Sequence, residues 1–151
     1  MYKEVIGDLI KEAKANPLKW DVIVHDCNCF STMGAGIARA IKKEFPEAYD
    51  VDKADPRKPK DRLGSISHTL VETPIVVNAY TQYDFKGPMN ASYPAIQSAM
   101  KEIKQKFSGK KIAMPLIGAG LAGGDWDFIS QIIQKELANE DVTIVIWDQN
   151  A

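Results

Sequence analysis

Few residue types that would fix a function by themselves are present in this chain. Of its 151 residues, two are cysteine and two are histidine. Cys27 and Cys29 form a lone C-x-C, and no second cysteine pair or nearby histidine pair completes a zinc set, so no metal site is expected. Strand alternation would send both thiols to one face with no evident base between them, which points to packing residues of a reduced compartment rather than a nucleophile. No apolar run approaches the roughly 20 residues a membrane span requires, and Met1 to Asp8 lacks the apolar core of a signal peptide. A soluble, cytoplasmic protein with no membrane partner is the expectation. The 19 basic and 20 acidic residues leave a net charge of -1, so no footprint for nucleic acid is visible. Internal repeats, low-complexity stretches and domain linkers are absent, and the length suits one domain, 1–151, around one core.

What is present alternates between strand-like and helix-like runs. Val5-Ile6 is a short apolar start. Gly7-Asp8-Leu9-Ile10 opens a helical segment that Asn16-Pro17 closes, and Trp20 to His25 reads as a buried strand. Ile37, Ala38, Ala40, Ile41 and Phe45 recur at helical spacing, and Pro46 starts a short turn reaching about Val51. Asp50 to Arg62 is charged, holds two prolines and reads as an exposed, solvated loop. Gly64 to Val71 and Pro74 to Ala79 predict a hairpin linked by Glu72-Thr73. Ser92 is a good N-cap for a helix from Tyr93 to about Phe107, with Ile96, Met100, Ile103 and Phe107 inward. Lys110 to Met114, Asp127 to Ala138 and Val142 to Trp147 complete a strand, a helix and a last strand. The fold class is therefore α/β: a central mixed, largely parallel sheet of about six strands between helical layers.

Two glycine-bearing stretches, Met33 to Ile37 and Ile117 to Gly124, each follow a strand and precede a helix. Glycine lets the main chain approach an anion, and a helix N-terminus offers unpaired N–H groups and a positive dipole end. Both stretches fall at strand carboxyl ends, where sheets of this kind bind ligands. A diphosphate would satisfy both.

Five pieces in order, covering essentially the whole chain, resemble the macrodomain family, the ADP-ribose-binding fold. They are Gly7-Asp8-Leu9, His25-Asp26-Cys27-Asn28, Met33 to Ile37, Pro115 to Leu121, and Trp147 after the last strand. The second and third look closest to the ADP-ribose 1″-phosphate phosphatases, including phage-type members, and to the terminal ADP-ribose protein glycohydrolases. The resemblance implies a three-layer αβα fold and ADP-ribose or a derivative as partner, with no cofactor, in a monomer. Asp8 would accept from the adenine amine, while its residue type equally suits a helix N-cap. Asn28 would bind hydroxyls of the distal ribose, or else form a turn. Gly34, Ala35, Gly36 and Ile37 would give N–H groups to one phosphate, and Gly118, Ala119, Gly120, Leu121 and Ala122 to the other. Ser31 and Thr32 could add hydroxyl contacts or serve as turn residues. Trp147 would stack on adenine, against the alternative of core burial.

The Asn-Ala-Ala-Asn motif of one hydrolytic branch is missing, with His25 at its leading position. The glycohydrolase branch uses a lysine adduct and an aspartate, yet here Tyr80-Thr81-Gln82-Tyr83 has no lysine and Ala122 replaces the aspartate. What remains fits removal of phosphate from ADP-ribose 1″-phosphate, with His25 and Asp125 as the candidate catalytic pair. The competing readings are a buried structural His25 and an Asp125 that caps the last helix. At the level of function, the alternatives are a non-catalytic ADP-ribose reader and a mono-ADP-ribosyl-protein hydrolase working without a lysine adduct.

Overall fold

Residues whose apolar side chains alternate or run unbroken become the strands of one six-stranded sheet. In the computed structural model, which describes residues 1–71, 73–85, 90–120 and 122–148, the chain order is β1 (Tyr2–Gly7), α1 (Leu9–Ala15), β2 (Val22–Cys27), α2 (Gly36–Glu44), α3 (Pro46–Ala54), α4 (Pro59–Arg62), β3 (Ile66–His68), β4 (Ile75–Tyr80), α5 (Tyr93–Phe107), β5 (Lys111–Met114), α6 (Trp126–Glu136) and β6 (Asp141–Trp147). Strand order is β1-β6-β5-β2-β4-β3, and every pairing is parallel except β3 with β4. The expected mixed, largely parallel sheet is what forms. β3 and β4 make the expected hairpin, whose link residue Glu72 lies outside the described residues.

β2 lies inside the sheet and is apolar on both faces, as a doubly covered parallel strand must be. Val22 and Val24 join the core under α5 and α6, with Ile96, Met100, Ile103, Ile129 and Ile133. Ile23 faces the other way, packing with Leu9, Ile10, Ile41, Phe45 and Ala48 from α1, α2 and α3. The result is three layers, αβα. α5 begins where its sequence says it should: Ser92 accepts from Ala95 N, and Tyr93 and Pro94 open the helix.

The apolar start Val5-Ile6 lies within a full edge strand, β1, parallel to β6, with both side chains exposed. One expectation is corrected. Asp50 to Arg62 is no solvated loop. α3 continues to Ala54, α4 follows, and Asp52 and Arg62 are buried. Arg57 binds Asp55 through Nε at 2.9 Å and Nη2 at 2.6 Å, and its Nη1 donates to Ser65 Oγ at 2.6 Å. Arg62 reaches Ser31 Oγ at 2.7 Å and the Asp55 carbonyl at 2.9 Å. The charges of Asp52, Asp55, Arg57 and Arg62 are thus engaged internally, forming a wall beside the carboxyl end of β2, while Asp50, Lys53, Lys58, Lys60 and Asp61 stay exposed. Among the described residues, no helix is long and apolar enough to cross a membrane.

Candidate functional site

The carboxyl ends of β2, β4 and β6 open onto two adjoining cavities separated by the turn that leads into α2. One, of about 320 Å³, is lined by Asp26, Cys27, Asn28, Thr32, Met33, Gly34, Ala35, Asp52, Gln82 and Phe85. The other, of about 600 Å³, is lined by Asp8, Ile10, Gly36, Ile37, Ala40 and Trp147 among others. Gly34 and Ala35 belong to the first and Gly36 and Ile37 to the second, so this short turn is their shared wall. Both volumes fall in the range of small-molecule sites.

The turn is built to present amides. Ala35 is the N-cap of α2, and among the described residues no side chain caps the helix. The first-turn N–H groups, which the helix cannot satisfy itself, and the positive end of the helix dipole belong to the turn that lines both cavities. A Cβ built on Gly34 would meet only the Thr32 carbonyl, at 3.9 Å, so this stretch of main chain stands open.

The second glycine loop differs. Gly118 N donates to Asp26 Oδ2 at 3.2 Å and Ala119 N to the Leu116 carbonyl at 3.1 Å, so these two amides have partners within the protein. Gly118 takes φ +72, and a Cβ there would lie 3.1 Å from Ile96 Cδ1. Gly124 is tighter still: a Cβ would stand 2.6 Å from the Gly118 carbonyl oxygen. Both glycines serve close packing, whereas a Cβ on Gly120 would meet nothing within 4 Å. Ala122 is buried, and its carbonyl accepts from Asn90 N and Ala91 N. Leu121 lies outside the described residues.

Residues 24–133 match the Macro domain family. This chain belongs to that family. The macrodomain is 35% identical over 135 residues to an uncharacterized 17.5 kDa protein of Enterobacteria phage T4, covering 83% of this chain and 86% of the phage protein. It is 25% identical to the DNA ADP-ribosyl glycohydrolase of Thermus aquaticus over 85% of this chain, but spans only 37% of that longer protein. It is 23% identical to the ADP-ribose 1″-phosphate phosphatase of Scheffersomyces stipitis, covering 89% of this chain and 94% of that one. The structure of Thermosipho africanus DarTG in complex with ADP-ribose superposes with a TM-score of 0.76 at 19% identity, over 99% of this chain and 42% of that one. This last likeness is one of fold.

Within the macrodomain, several expected site residues reach the two cavities. Asp8 does cap α1, accepting from Lys11 N at 3.0 Å, and also lines the larger cavity opposite Trp147. Trp147 is 67% exposed at the end of β6, which removes the core-burial alternative. Asn28 forms a turn, its Oδ1 accepting from Phe30 N at 2.8 Å and its Nδ2 donating to Thr32 Oγ1 at 2.7 Å, while Asn28 and Thr32 both line the smaller cavity. Ser31 is committed elsewhere: its hydroxyl donates to Asp52 Oδ1 at 3.0 Å.

The expected catalytic pair does not assemble. Alternation along β2 sends His25 to the α3 side of the sheet, where it is fully buried; Asp125 caps α6, which packs on the opposite face, and accepts from Asp127 N. His25 Nε2 lies 2.6 Å from Asn78 Oδ1, and Asn78 Nδ2 donates to the Ala48 carbonyl. With the amide so oriented, Nε2 must carry the proton. Burial holds this imidazole down at about 4, although the Asn78 contact opposes the shift. It is a neutral structural histidine.

Sequence reasoning gave no site role to Asp26, Asp52, Gln82 and Phe85, while Cys27 is the buried packing residue expected. Burial raises the Cys27 thiol well above its ordinary value, with the Asp52 and Asp26 charges adding to the effect, so Cys27 is no nucleophile. Burial raises the carboxyls of Asp26 and Asp52 as well, against the hydrogen bonds that each accepts. One signal for Asp52 does stand in the sequence: Phe45, Ala48 and Asp52 share the inward stripe of α3, at helical spacing.

Proposed function

We propose that this macrodomain binds ADP-ribose with its diphosphate on the α2 turn and removes the terminal phosphate from ADP-ribose 1″-phosphate. The observation that carries the binding is the shared wall: a helix start without a side-chain cap lines both cavities, and its amides would hold the two phosphates between a larger compartment and a smaller one. The larger compartment suits adenine, with the Trp147 ring as a stacking surface and Asp8 as acceptor for the exocyclic amine. The smaller suits the distal ribose, with Asn28 and Thr32 supplying polar contacts and Gln82 and Phe85 at its margin.

Phosphate removal is favoured over glycosidic cleavage through a lysine adduct by Tyr80-Thr81-Gln82-Tyr83, which offers no amine to the distal ribose. The phosphatase name of the yeast relative agrees with this choice. His25 and Asp125 take no direct part; the groups that face the substrate are Asp26, Asn28, Thr32 and Asp52. The test is calorimetry with ADP-ribose followed by a phosphate-release assay on ADP-ribose 1″-phosphate. Binding with turnover supports the proposal in full. Binding without phosphate release reduces it to a reader, and no heat with ADP-ribose overturns it.

A further inference from the structure

Among the described residues of the cavity walls, Asp52 is the one whose burial and bonding disagree. It is fully buried, yet only half of its carboxylate is satisfied. Oδ1 accepts from Tyr80 Oη at 2.7 Å and from Ser31 Oγ at 3.0 Å, with Arg62 Nη1 at 3.8 Å. Oδ2 has no partner. An unmatched carboxylate oxygen out of water is costly, and native structures retain one where something else is meant to meet it. Asp52 lines the smaller cavity, alongside Asn28 and Thr32.

We infer that Asp52 is the specificity determinant for the sugar beyond the diphosphate, its Oδ2 accepting a hydrogen bond from a distal-ribose hydroxyl. The inference rests on the ADP-ribose reading above and adds to it the group that tells ADP-ribose from ADP. The donor must be neutral or cationic, because a carboxylate repels an anion at contact distance; a hydroxyl fits, and a phosphate oxygen does not. Three groups fix Oδ1, so the orientation of Oδ2 is set before a ligand arrives, which lowers the ordering cost of binding. The remaining links are structural. Tyr80 Oη contacts Ser67 Oγ at 2.9 Å, Ser67 accepts from Asn78 Nδ2 at 3.0 Å, and Asn78 meets His25, so a chain of hydrogen bonds runs along the α3 face of the sheet from Asp52 to His25 on β2. His25 is thus a support for the wall and Asp52 is the part that touches ligand.

Asp52→Asn keeps shape and an Oδ1 acceptor but turns the Oδ2 position into a donor. Titration calorimetry of wild type and Asp52→Asn with ADP-ribose and with ADP tests the inference. Wild type should prefer ADP-ribose, and the variant should lose about tenfold or more in ADP-ribose affinity, the usual weight of a hydrogen bond to a charged group, with ADP affinity unchanged. Equal loss for both ligands would show a merely structural role and overturn the inference, as would undiminished ADP-ribose affinity. A ligand-side arm needs no variant. An ADP-ribose analogue with hydrogens in place of the distal ring hydroxyls should bind wild type no better than ADP does, and full affinity for it would overturn the inference. If wild type binds ADP-ribose and ADP equally, Asp52 specificity fails while the diphosphate site stands; if it binds neither, the ADP-ribose reading itself fails.

Discussion

His25 and Asn78 are register partners on β2 and β4, and their side chains meet at 2.6 Å on the buried α3 face of the sheet. Burial keeps this imidazole neutral inside the protein, against the opposing pull of the Asn78 contact. Its ordinary value is about 6.5 in an unfolded chain, against about 4 here. Between those two values the unfolded chain holds a proton that the folded one does not, so stability is full above the upper value and falls as pH falls toward the lower. Near the lower limit the loss from this residue is about 3 kcal/mol. Denaturant midpoints measured at several pH values for wild type and His25→Gln should show a shallower acid slope in the variant. Catalysis and ligand affinity at neutral pH should change far less than a catalytic histidine would demand.

Gly34 separates fold from ligand. A Cβ there finds open space, so Gly34→Val should fold with stability within about 0.5 kcal/mol of wild type. The branched side chain would nevertheless stand between the α2 amides and a phosphate. Calorimetry should register no ADP-ribose binding by a variant whose thermal unfolding is unchanged.

Gly124 is the opposite case. Its missing Cβ would collide with the Gly118 carbonyl oxygen and with Ile129 Cδ1 at 2.8 Å, so Gly124→Ala overfills the space behind the second loop. A stability loss of about 1–3 kcal/mol is expected from such overpacking. Urea denaturation measures it.

Trp147 reports on the larger cavity. Because the ring is mostly exposed, Trp147→Ala should leave stability nearly unchanged, while ADP-ribose affinity falls by about 1–3 kcal/mol, the range for base–aromatic stacking. In wild type, added ADP-ribose should quench the fluorescence of this indole. An unaltered affinity in the variant would place adenine elsewhere.

The elements whose patterns are local are legible in the sequence alone. α5 follows from Ser92, Pro94 and an inward stripe from Ile96 to Phe107, and β2 from an unbroken apolar run. The α2 turn is legible as well, because glycine next to an amphipathic helix carries its own chemistry. β1 shows only as the apolar pair Val5-Ile6, because an exposed edge strand has no alternation to mark its full length. Arg62 is hidden, and Asp52 shows only through its helical spacing from Phe45 and Ala48, because a charged run looks solvated unless its partners are known, and those partners, Ser31 and Tyr80, are distant in sequence. His25 shows the limit of motif reasoning: composition puts a histidine at the right strand end, and only strand alternation against the neighbouring layers decides which way it points.

The Arg57 and Arg62 network has a consequence for proteolysis. Trypsin must draw several residues into an extended strand before it cuts, and positions 55–62 are pinned at both guanidinium groups, one to Asp55 and Ser65, the other to Ser31. Peeling that segment away would strip Ser31 of a donor and open the wall on which Asp52 sits. The sites after Arg57, Lys60 and Arg62 should therefore survive trypsin as long as the whole domain does, and nicking there should coincide with global unfolding.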